Sequence, residues 1–269
     1  MRNRRFWQLV GVSLSLTAVS AGCTRVRETG RRQLMLVTPG QERALGAQAY
    51  QEVLSESRRS GDARMTAILE RVGRRVAEAA NQPEFQWEFA LLESEEVNAF
   101  CLPGGKVAVY TGILPVMKNE AGMAVVVGHE VAHAVARHGG ERLSQHLSVV
   151  IIQELLAQGL SRSSPAVRTG ALQAFGVGAE VGAILPYSRR HEEEADEIGL
   201  RYAARAGYDP REAIALWQRM EALRETRPPE FLSTHPHEKR RIRQFEKLMP
   251  AALEVYQAAP RQHGLGEQW

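Results

Sequence analysis

The sequence predicts an α+β fold, mainly α, with a small β-sheet. Three observations lead to this prediction. Alternation of polar and apolar residues is confined to residues 85–110, and helical periodicity runs onward from Asn119. A repeat of fixed period, which would indicate a solenoid, is not evident in the sequence. A length of 269 residues with 44% hydrophobic and 24% charged residues is typical of one globular domain. We therefore expect one domain over residues 39–260.

The first 22 residues predict a secretory signal. A cationic start, MRNRR, precedes an apolar run that is too short and too rich in serine to span a membrane readily. This run ends at Gly22, directly before Cys23. This ending resembles the bacterial lipobox, so lipidation of Cys23 is predicted, with an ordinary cleaved signal or an uncleaved anchor as alternatives. Thr24 favours the outer membrane of a two-membrane cell. We expect an exported, periplasmic protein, lipid-anchored to the outer membrane through a tether at residues 23–38.

Charge and cysteines exclude two classes of protein. Seven of the 34 basic residues lie within the first 32 positions, and the rest of the chain is slightly acidic. We therefore predict no nucleic-acid partner, because that mode of binding needs a positive patch on the folded domain. The two cysteines, Cys23 and Cys101, rule out a disulfide framework and a CxxC zinc site. Any metal must be bound by histidines and carboxylates.

The remaining elements follow from local patterns. Helices are predicted at 40–58 and 62–80, then a strand within FQWEFALLE, then two strands, NAFCL and KVAVYTG, joined at Pro103-Gly104-Gly105. Further helices are predicted at 119–139, 141–160, 165–184, 188–207, 210–224 and 235–248. Two apolar stretches, LSVVIIQELLAQGL and ALQAFGVGAEVGAIL, are shorter than a membrane span, which favours buried core helices over a surface that dips into lipid. Residues 261–269 are expected to form a tail.

The motif HEVAH places two histidines four residues apart on a predicted helix. His129 and His133 therefore project from one face, one turn apart, as two ligands of a tetrahedral zinc ion require. Glu130 lies about 100° further round the helix, where it can take a proton from water and pass it to a leaving amine. The motif also arises by chance on solvated helices, so the site requires a third ligand.

A second pattern, HEEEADE, supplies that ligand. Glu192 and Asp196 share one helical face, so Glu192 can complete a His-His-Glu site and Asp196 can accept the outer ring N–H of a ligand histidine. The alternative is an acidic, solvated helix face. Ala195 and Gly199 argue against it, because small residues suit a helix packed tightly against another. The other acids are expected to be solvated: Glu193, Glu194 and Glu197.

Other zinc ligands can be rejected by position. The longer motif HExxHxxGxxH would need a glycine and a histidine where the chain has Ala136 and Gly139. His138 follows His133 by five residues and would lie about 140° away on a continuous helix. We therefore predict that His138 interacts with the C-terminal end of the helix dipole and does not bind metal.

Four ordered motifs carry a family resemblance: NAFCLPGG, HEVAH, SRRHEEEAD and STHPHEKRR. Together they resemble the HtpX/CAAX-prenyl-protease-like zinc metallopeptidases, peptidase family M48, and in particular its small exported members of the LoiP and BepA type. The resemblance implies a gluzincin-type domain with one zinc ion per chain, bound by His129, His133 and Glu192. It also implies Glu130 as the general base and Asp196 as a residue that supports a ligand.

The segment NAFCLPGGKVAVYTG predicts the upper edge of a substrate cleft. An edge strand offers free N–H and C=O groups to which an extended peptide can add. We expect substrate contacts from Asn98, Pro103, Gly104 and Gly105. An ordinary hairpin is the alternative, and Asn98 can equally serve as a cap. Cys101 is predicted to be a small buried strand residue and not a nucleophile.

His235, in STHPHEKRR, has three interpretations. As the resemblance implies, it can occupy the open zinc position in a resting state or donate a hydrogen bond to the oxyanion. Alternatively, His235 with Pro236 simply opens a helix. For the whole protein, the resemblance implies proteolysis of unfolded or misassembled envelope proteins. A chaperone with suppressed proteolysis and a zinc-stabilised structural domain are the alternatives, and Glu130 favours the enzyme.

Overall fold

A computed structural model describes residues 22–179, 185–223, 230–231, 235 and 238–269. The elements in chain order are β1 (Cys23–Arg25), β2 (Arg32–Leu34), α1 (Pro39–Glu56), α2 (Ala63–Ala80), β3 (Glu88–Leu92), β4 (Ala99–Leu102), β5 (Lys106–Tyr110), a 3-10 turn (Thr111–Ile113), α3 (Leu114–Met117), α4 (Glu120–Val135), α5 (His138–Gly159), α6 (Pro165–Ala179), α7 (Leu185–Arg205), α8 (Glu212–Leu223) and α9 (Glu238–Gln257). The predicted fold class, mainly helical with small sheets, is confirmed.

The chain divides into two compact units. The first comprises Met1–Pro39 and Gly139–Ile184, and the second comprises Gly40–His138 and Leu185–Trp269. Most of the predicted signal, residues 1–21, lies outside the described residues, as does the predicted end of α6 at 180–184. The signal therefore stays a prediction.

The first unit contains a hairpin in the segment predicted as a tether. β1 and β2 pair antiparallel, with Cys23 opposite Leu34, and Arg31 donates two hydrogen bonds, of 3.0 and 2.8 Å, to Glu141 of α5. Glu141 is completely buried, so this pair attaches the hairpin to the helix. Cys23 is exposed at the start of β1, and its lipidation stays a prediction.

The predicted burial of the apolar stretch in α5 is wrong. Val150, Ile151 and Leu155 are 59%, 54% and 62% exposed, and Val167 and Val177 of α6 are exposed as well. The sequence was apolar on several sides of each helix, and that pattern alone does not reveal which side finds a neighbour. None of the described helices is both long and apolar enough to cross a membrane.

The second unit contains a three-stranded sheet in the order β3-β5-β4. β3 runs parallel to β5, and β4 runs antiparallel to β5. β4 is therefore an edge strand. The turn between β4 and β5 requires glycine, because Gly104 and Gly105 have φ angles of +90° and +87°. One face of the sheet packs against Tyr50 of α1.

α4 is the central helix of this unit. All its residues from Glu120 to Ala134 are buried, and it packs against α2, α7, α8 and β4. Its run of valines and alanines explains this, because every face of the helix is apolar apart from the motif residues. The prediction that the HEVAH helix has a dry, rigid support is confirmed.

The C-terminal segment caps α4. The amides of Glu120 and Ala121 donate to backbone carbonyls of residues 265–269 at 3.0 Å each, and the amide of Gly122 donates to Asn119 Oδ1 at 2.8 Å. These three N–H groups open the helix and have no partner within it. The segment predicted as a tail is therefore packed against the domain and fixes the start of the central helix.

Two glycines set the distance between α4 and α7. A Cβ atom added to Gly199 would lie 2.7 Å from the amide nitrogen of His129 and 2.8 Å from the carbonyl carbon of Gly128. Real Cβ atoms do not approach backbone so closely, so only glycine permits this crossing. The tight packing expected at Gly199 is confirmed, and it brings Glu192, two turns earlier on α7, towards the histidines of α4.

Candidate metal centre

Four side chains of the second unit form the metal-site cluster: His129, His133, Glu192 and His235. Their donor atoms all lie within 4.8 Å of one another, and three of the four residues are buried. α4 supplies the first two, α7 supplies Glu192, and His235 belongs to the segment before α9. The sequence prediction that α4 and α7 meet here is in agreement with the structure.

The spacing within the cluster fits one metal ion. His129 Nε2 lies 3.0 Å from His133 Nε2 and 3.3 Å from Glu192 Oε2, and His133 Nε2 lies 3.4 Å from Glu192 Oε1. Two ligand atoms of a tetrahedral zinc ion, each about 2.0–2.1 Å from the metal, are about 3.3 Å apart. The donor set and its spacing therefore fit a divalent ion with nitrogen and oxygen ligands.

Electrostatics favour a cation at this place. Burial and Arg241 act to lower the pKa of His129, but Asp196 and Glu192 outweigh them and raise it to about 9. Burial acts to raise the pKa of Glu192, yet His133 and His129 hold it well below its usual range. Burial lowers the pKa of His133. The cluster thus attracts positive charge and presents a carboxylate and a neutral imidazole as ligands.

Asp196 lies beside the outer ring nitrogen of His129, where the sequence prediction places it. Its Oδ1 lies 3.0 Å from His129 Nδ1, the ring nitrogen opposite to the one that faces the cluster. Arg241 of α9, which the sequence analysis did not single out, donates from Nε to Asp196 Oδ2 at 2.8 Å and from Nη1 to Glu192 Oε2 at 3.3 Å. The guanidinium lies 3.7 Å from the centre of the Trp217 ring. One buried arginine therefore fixes the carboxylates of both Glu192 and Asp196.

Two further residues were misinterpreted from sequence. His138 Nδ1 lies 2.9 Å from His133 Nδ1, and His138 Nε2 lies 2.9 Å from Glu194 Oε2. The dipole role predicted for His138 and the solvated position predicted for Glu194 are therefore wrong, because both side chains are buried. No pattern on the ligand face marks Glu194, because it lies about 200° round the helix from both Glu192 and Asp196.

Glu130 lies beside the cluster and outside its ligand set. It is buried, and burial raises the pKa of its carboxyl group. Its Oε1 is 3.4 Å from His235 Nε2 and accepts no hydrogen bond from any part of the chain that the structure describes. A buried carboxylate oxygen in this state is placed to receive a proton from water.

His235 occupies the fourth corner of the cluster. Its Nδ1 lies 3.2 Å from His129 Nε2 and 2.9 Å from Glu192 Oε2, and its ring stacks on Phe231 with centroids 4.6 Å apart. The interpretation of His235 and Pro236 as the opening of a helix falls partly outside the described residues and stays a prediction. Of the two remaining interpretations, the resting-state position agrees better with these distances.

The residues predicted to form the substrate-binding edge have different surroundings in the structure. The amide of Phe231 donates to Val97 O at 3.1 Å, which joins the start of the β4 strand to the segment that carries His235. Asn98 Oδ1 accepts a hydrogen bond from the next amide, that of Ala99, at 2.9 Å. Cys101 lies in β4 and is partly buried, less than predicted, and burial raises the pKa of its thiol well above its usual value.

The turn of Pro103, Gly104 and Gly105 has other neighbours. A Cβ atom added to Gly46 of α1 would lie 2.2 Å from Pro103 O, and the carbonyl oxygens of Gly104 and Gly105 accept hydrogen bonds from Gln86 and Glu88. The turn is therefore held by α1 and by the chain leading into β3. Its role in substrate binding stays a prediction.

A scan against protein families matches the model "Peptidase family M48" over residues 63–249. The chain belongs to this family. The match spans the sheet, α4 and its HEVAH motif, α7 and most of α9, so it includes every residue of the metal-site cluster. The resemblance inferred from the four motifs and the predicted enzyme class, a metallopeptidase, are confirmed. Metallopeptidases of family M48 are zinc-dependent.

Curated relatives of this M48 chain include two named for mitochondria and one named for β-barrel assembly. "Mitochondrial metalloendopeptidase OMA1" of Schizosaccharomyces pombe is 38% identical over 83% of the chain and 66% of the relative. "Metalloendopeptidase OMA1, mitochondrial" of Homo sapiens is 32% identical over 84% and 46%. "Beta-barrel assembly-enhancing protease" of Escherichia coli is 28% identical over 73% and 41%. The chain thus spans about half the length of these relatives.

These relatives overturn the predicted location. A periplasmic protein anchored to the outer membrane was the expectation from the N-terminal residues, and it is wrong, because relatives that are 38% and 39% identical are named as mitochondrial proteases. The physical reason for the error is that a cationic start followed by an apolar run is not specific to one export route.

Proposed function

We propose that this M48 chain is a zinc-dependent endopeptidase that cleaves unfolded or misassembled proteins. One observation carries the proposal: three ligand-type side chains converge at the spacing of a zinc site, beside a buried carboxylate oxygen of Glu130 that accepts no hydrogen bond from the described residues. A purely structural zinc site has no use for such a base. The OMA1 relatives are named metalloendopeptidases, which supports cleavage within a polypeptide chain. The Escherichia coli relative is named for β-barrel assembly, which supports proteins in the course of assembly as substrates.

His129, His133 and Glu192 would hold the zinc ion. When bound in such a site, zinc makes a water molecule more acidic and polarises the carbonyl of the peptide to be cleaved. Asp196 would hold the proton of His129 on Nδ1, so that Nε2 of that ring binds the metal. Arg241 restrains the carboxylates of both Glu192 and Asp196.

Glu130 would act as the general base and then as the general acid. Its Oε1, which accepts no hydrogen bond from the described residues, would accept the proton of the attacking water, and burial, which raises the pKa of the carboxyl group, would let it keep that proton until the peptide nitrogen departs. The same carboxyl group then protonates the leaving amine. This order of steps needs no other titratable group.

β4 would bind the substrate as an added strand. It is the last strand of the sheet order, and it packs against α4. Main-chain hydrogen bonds to an edge strand give affinity for an extended peptide with little dependence on its side chains. Asn98 fixes the first residue of this edge through its bond to Ala99. An unfolded protein, which offers extended segments, is the substrate that this edge fits.

His235 would suppress the resting enzyme. A ring nitrogen within hydrogen-bonding distance of both His129 and Glu192 fills the corner that water and substrate need. Movement of this one side chain would open the site. The measurement is cleavage of fluorescently labelled casein by the purified chain and by His235→Ala. We expect slow cleavage by the parent, cleavage several-fold faster by the variant, and loss of both with 1,10-phenanthroline.

The control variant is His146→Ala, which removes an exposed histidine of α5 and should cleave at the parental rate. A His235→Ala rate equal to or below that of the parent would contradict the resting-state role. Absence of chelator-sensitive cleavage from both proteins would contradict the proposed function itself.

A further inference from the structure

His138 makes the most unusual contact in the neighbourhood of the cluster. The two Nδ1 atoms of His138 and His133 are 2.9 Å apart, and no solvent reaches His138. Two ring nitrogens at this distance form a hydrogen bond only if one carries a proton and the other does not. The contact therefore restricts the tautomers of both rings.

A break in the helix makes the contact geometrically available. On a continuous helix His138 would lie about 140° around the axis from His133. The chain leaves the α conformation at Arg137, whose φ is +59°, and α5 then begins at His138. Arg137 Nε donates to Glu42 Oε2 at 2.7 Å, which anchors the break to α1. The ring of His138 is thereby turned back towards His133.

Two residues of α7 hold the ring of His138 from other sides. Glu194 Oε2 lies 2.9 Å from its Nε2, and the ring of His191 stacks on it with centroids 4.2 Å apart and planes 13° from parallel. All three side chains are buried. A carboxylate accepts hydrogen bonds only, so His138 carries a proton on Nε2, and in the neutral ring its Nδ1 is then an acceptor.

The positions of the ring protons of His138 and His133 follow from these contacts. Because His138 Nδ1 accepts, His133 must donate from its own Nδ1, and the lone pair of His133 is then on Nε2. That atom is the one directed into the metal-site cluster, 3.0 Å from His129 Nε2. We propose that His138 is a positioning residue which, with Glu194, fixes the tautomer and orientation of His133 as a metal ligand. This inference rests on the proposed function, in which His133 binds zinc.

The arrangement parallels the support of the other ligand histidine. His129 has a carboxylate, Asp196, directly at its outer nitrogen, and His133 has a carboxylate, Glu194, one imidazole further out. Both carboxylates belong to α7. Partners of this kind typically change metal affinity by 10–100-fold when they are removed.

The test compares His138→Leu with His138→Asn in the full chain. Leucine fills the space and has no acceptor, whereas Asn Oδ1 branches from the same carbon as His Nδ1 and can accept the proton of His133. Zinc affinity is measured by competition with a chromophoric chelator, and bound Co²⁺ is followed by its absorption spectrum. We expect His138→Leu to bind zinc about 10–100-fold more weakly and to alter the Co²⁺ spectrum. His138→Asn should recover most of the affinity and the parental spectrum.

Thermal unfolding of the metal-free proteins distinguishes a positioning role of His138 from a packing role. If metal affinity changes while the unfolding midpoint stays that of the parent, the effect is not one of stability. Parental affinity in His138→Leu, or equal weakening in His138→Asn, would overturn the inference. Should His138→Leu fail to fold, Glu194→Leu decides, because it removes the acceptor of the His138 Nε2 proton. Zinc binding by this variant that is weaker than that of the parent supports the positioning role of His138 and Glu194, and binding equal to that of the parent overturns it. His133→Ala is measured alongside, and parental zinc affinity in that variant would instead refute the proposed function.

Discussion

Glu130→Gln is expected to abolish proteolysis and to leave zinc binding intact. Glutamine has the same shape but cannot take a proton from water, and Glu130 is not among the four cluster residues. Loss of a general base lowers a rate by about 100- to 10,000-fold. The measurement is the rate of casein cleavage, with the zinc content of the same samples determined by atomic spectroscopy.

The matched control is Glu193→Gln, which makes the same chemical change at an exposed position of α7. It should cleave casein at the rate of the parent. A purified Glu130→Gln protein that contains zinc and cleaves as fast as the parent would show that the base is misassigned.

Gly199→Ala is expected to weaken both the fold and the zinc site. The added methyl group would meet backbone atoms of Gly128 and His129 at 2.7–2.8 Å, and backbone cannot move aside as the end of a side chain can. α7 must retreat from α4 and take Glu192 with it. Overpacking of this kind costs about 1–3 kcal/mol or more, and a metal site tolerates displacements of only about 0.2 Å. Thermal unfolding and zinc affinity measure the two effects.

Gly170→Ala is the control for this change. Gly170 lies within α6, and a Cβ atom added there meets nothing within 4 Å. Alanine in an open helical position is neutral or stabilises by up to about 1 kcal/mol. A Gly199→Ala protein with the unfolding midpoint and zinc affinity of the parent would contradict the role given to the glycine crossing.

Local periodicity was enough to predict the ligands that share a helix. The spacing of His129 and His133 fixes their common face whatever surrounds the helix, and the same holds for Glu192 and Asp196. The packing of α4 against α7 could be anticipated from Gly199, because a residue without a side chain suits a close crossing. The predicted helices agree with the structure to within a few residues over most of the described chain.

Contacts created by breaks and by distant segments could not be predicted. The error over His138 came from extending the helix through Arg137, where a left-handed φ ends it. Arg241 acts from a helix more than forty residues beyond Asp196, and no local pattern marks it. The pairing of β1 with β2 and the docking of residues 265–269 likewise depend on partners far along the chain.

Zinc content after dialysis tests the central claim most directly, namely that α4 and α7 bind one metal ion between them. The parent and the control Glu193→Ala should each retain about one zinc ion per chain, because both keep the three protein ligands of α4 and α7. Glu192→Ala should retain little zinc. Its remaining ligands would be the two histidines of α4, whether or not His235 also binds. A Glu192→Ala protein that keeps zinc with the affinity of the parent would contradict the account.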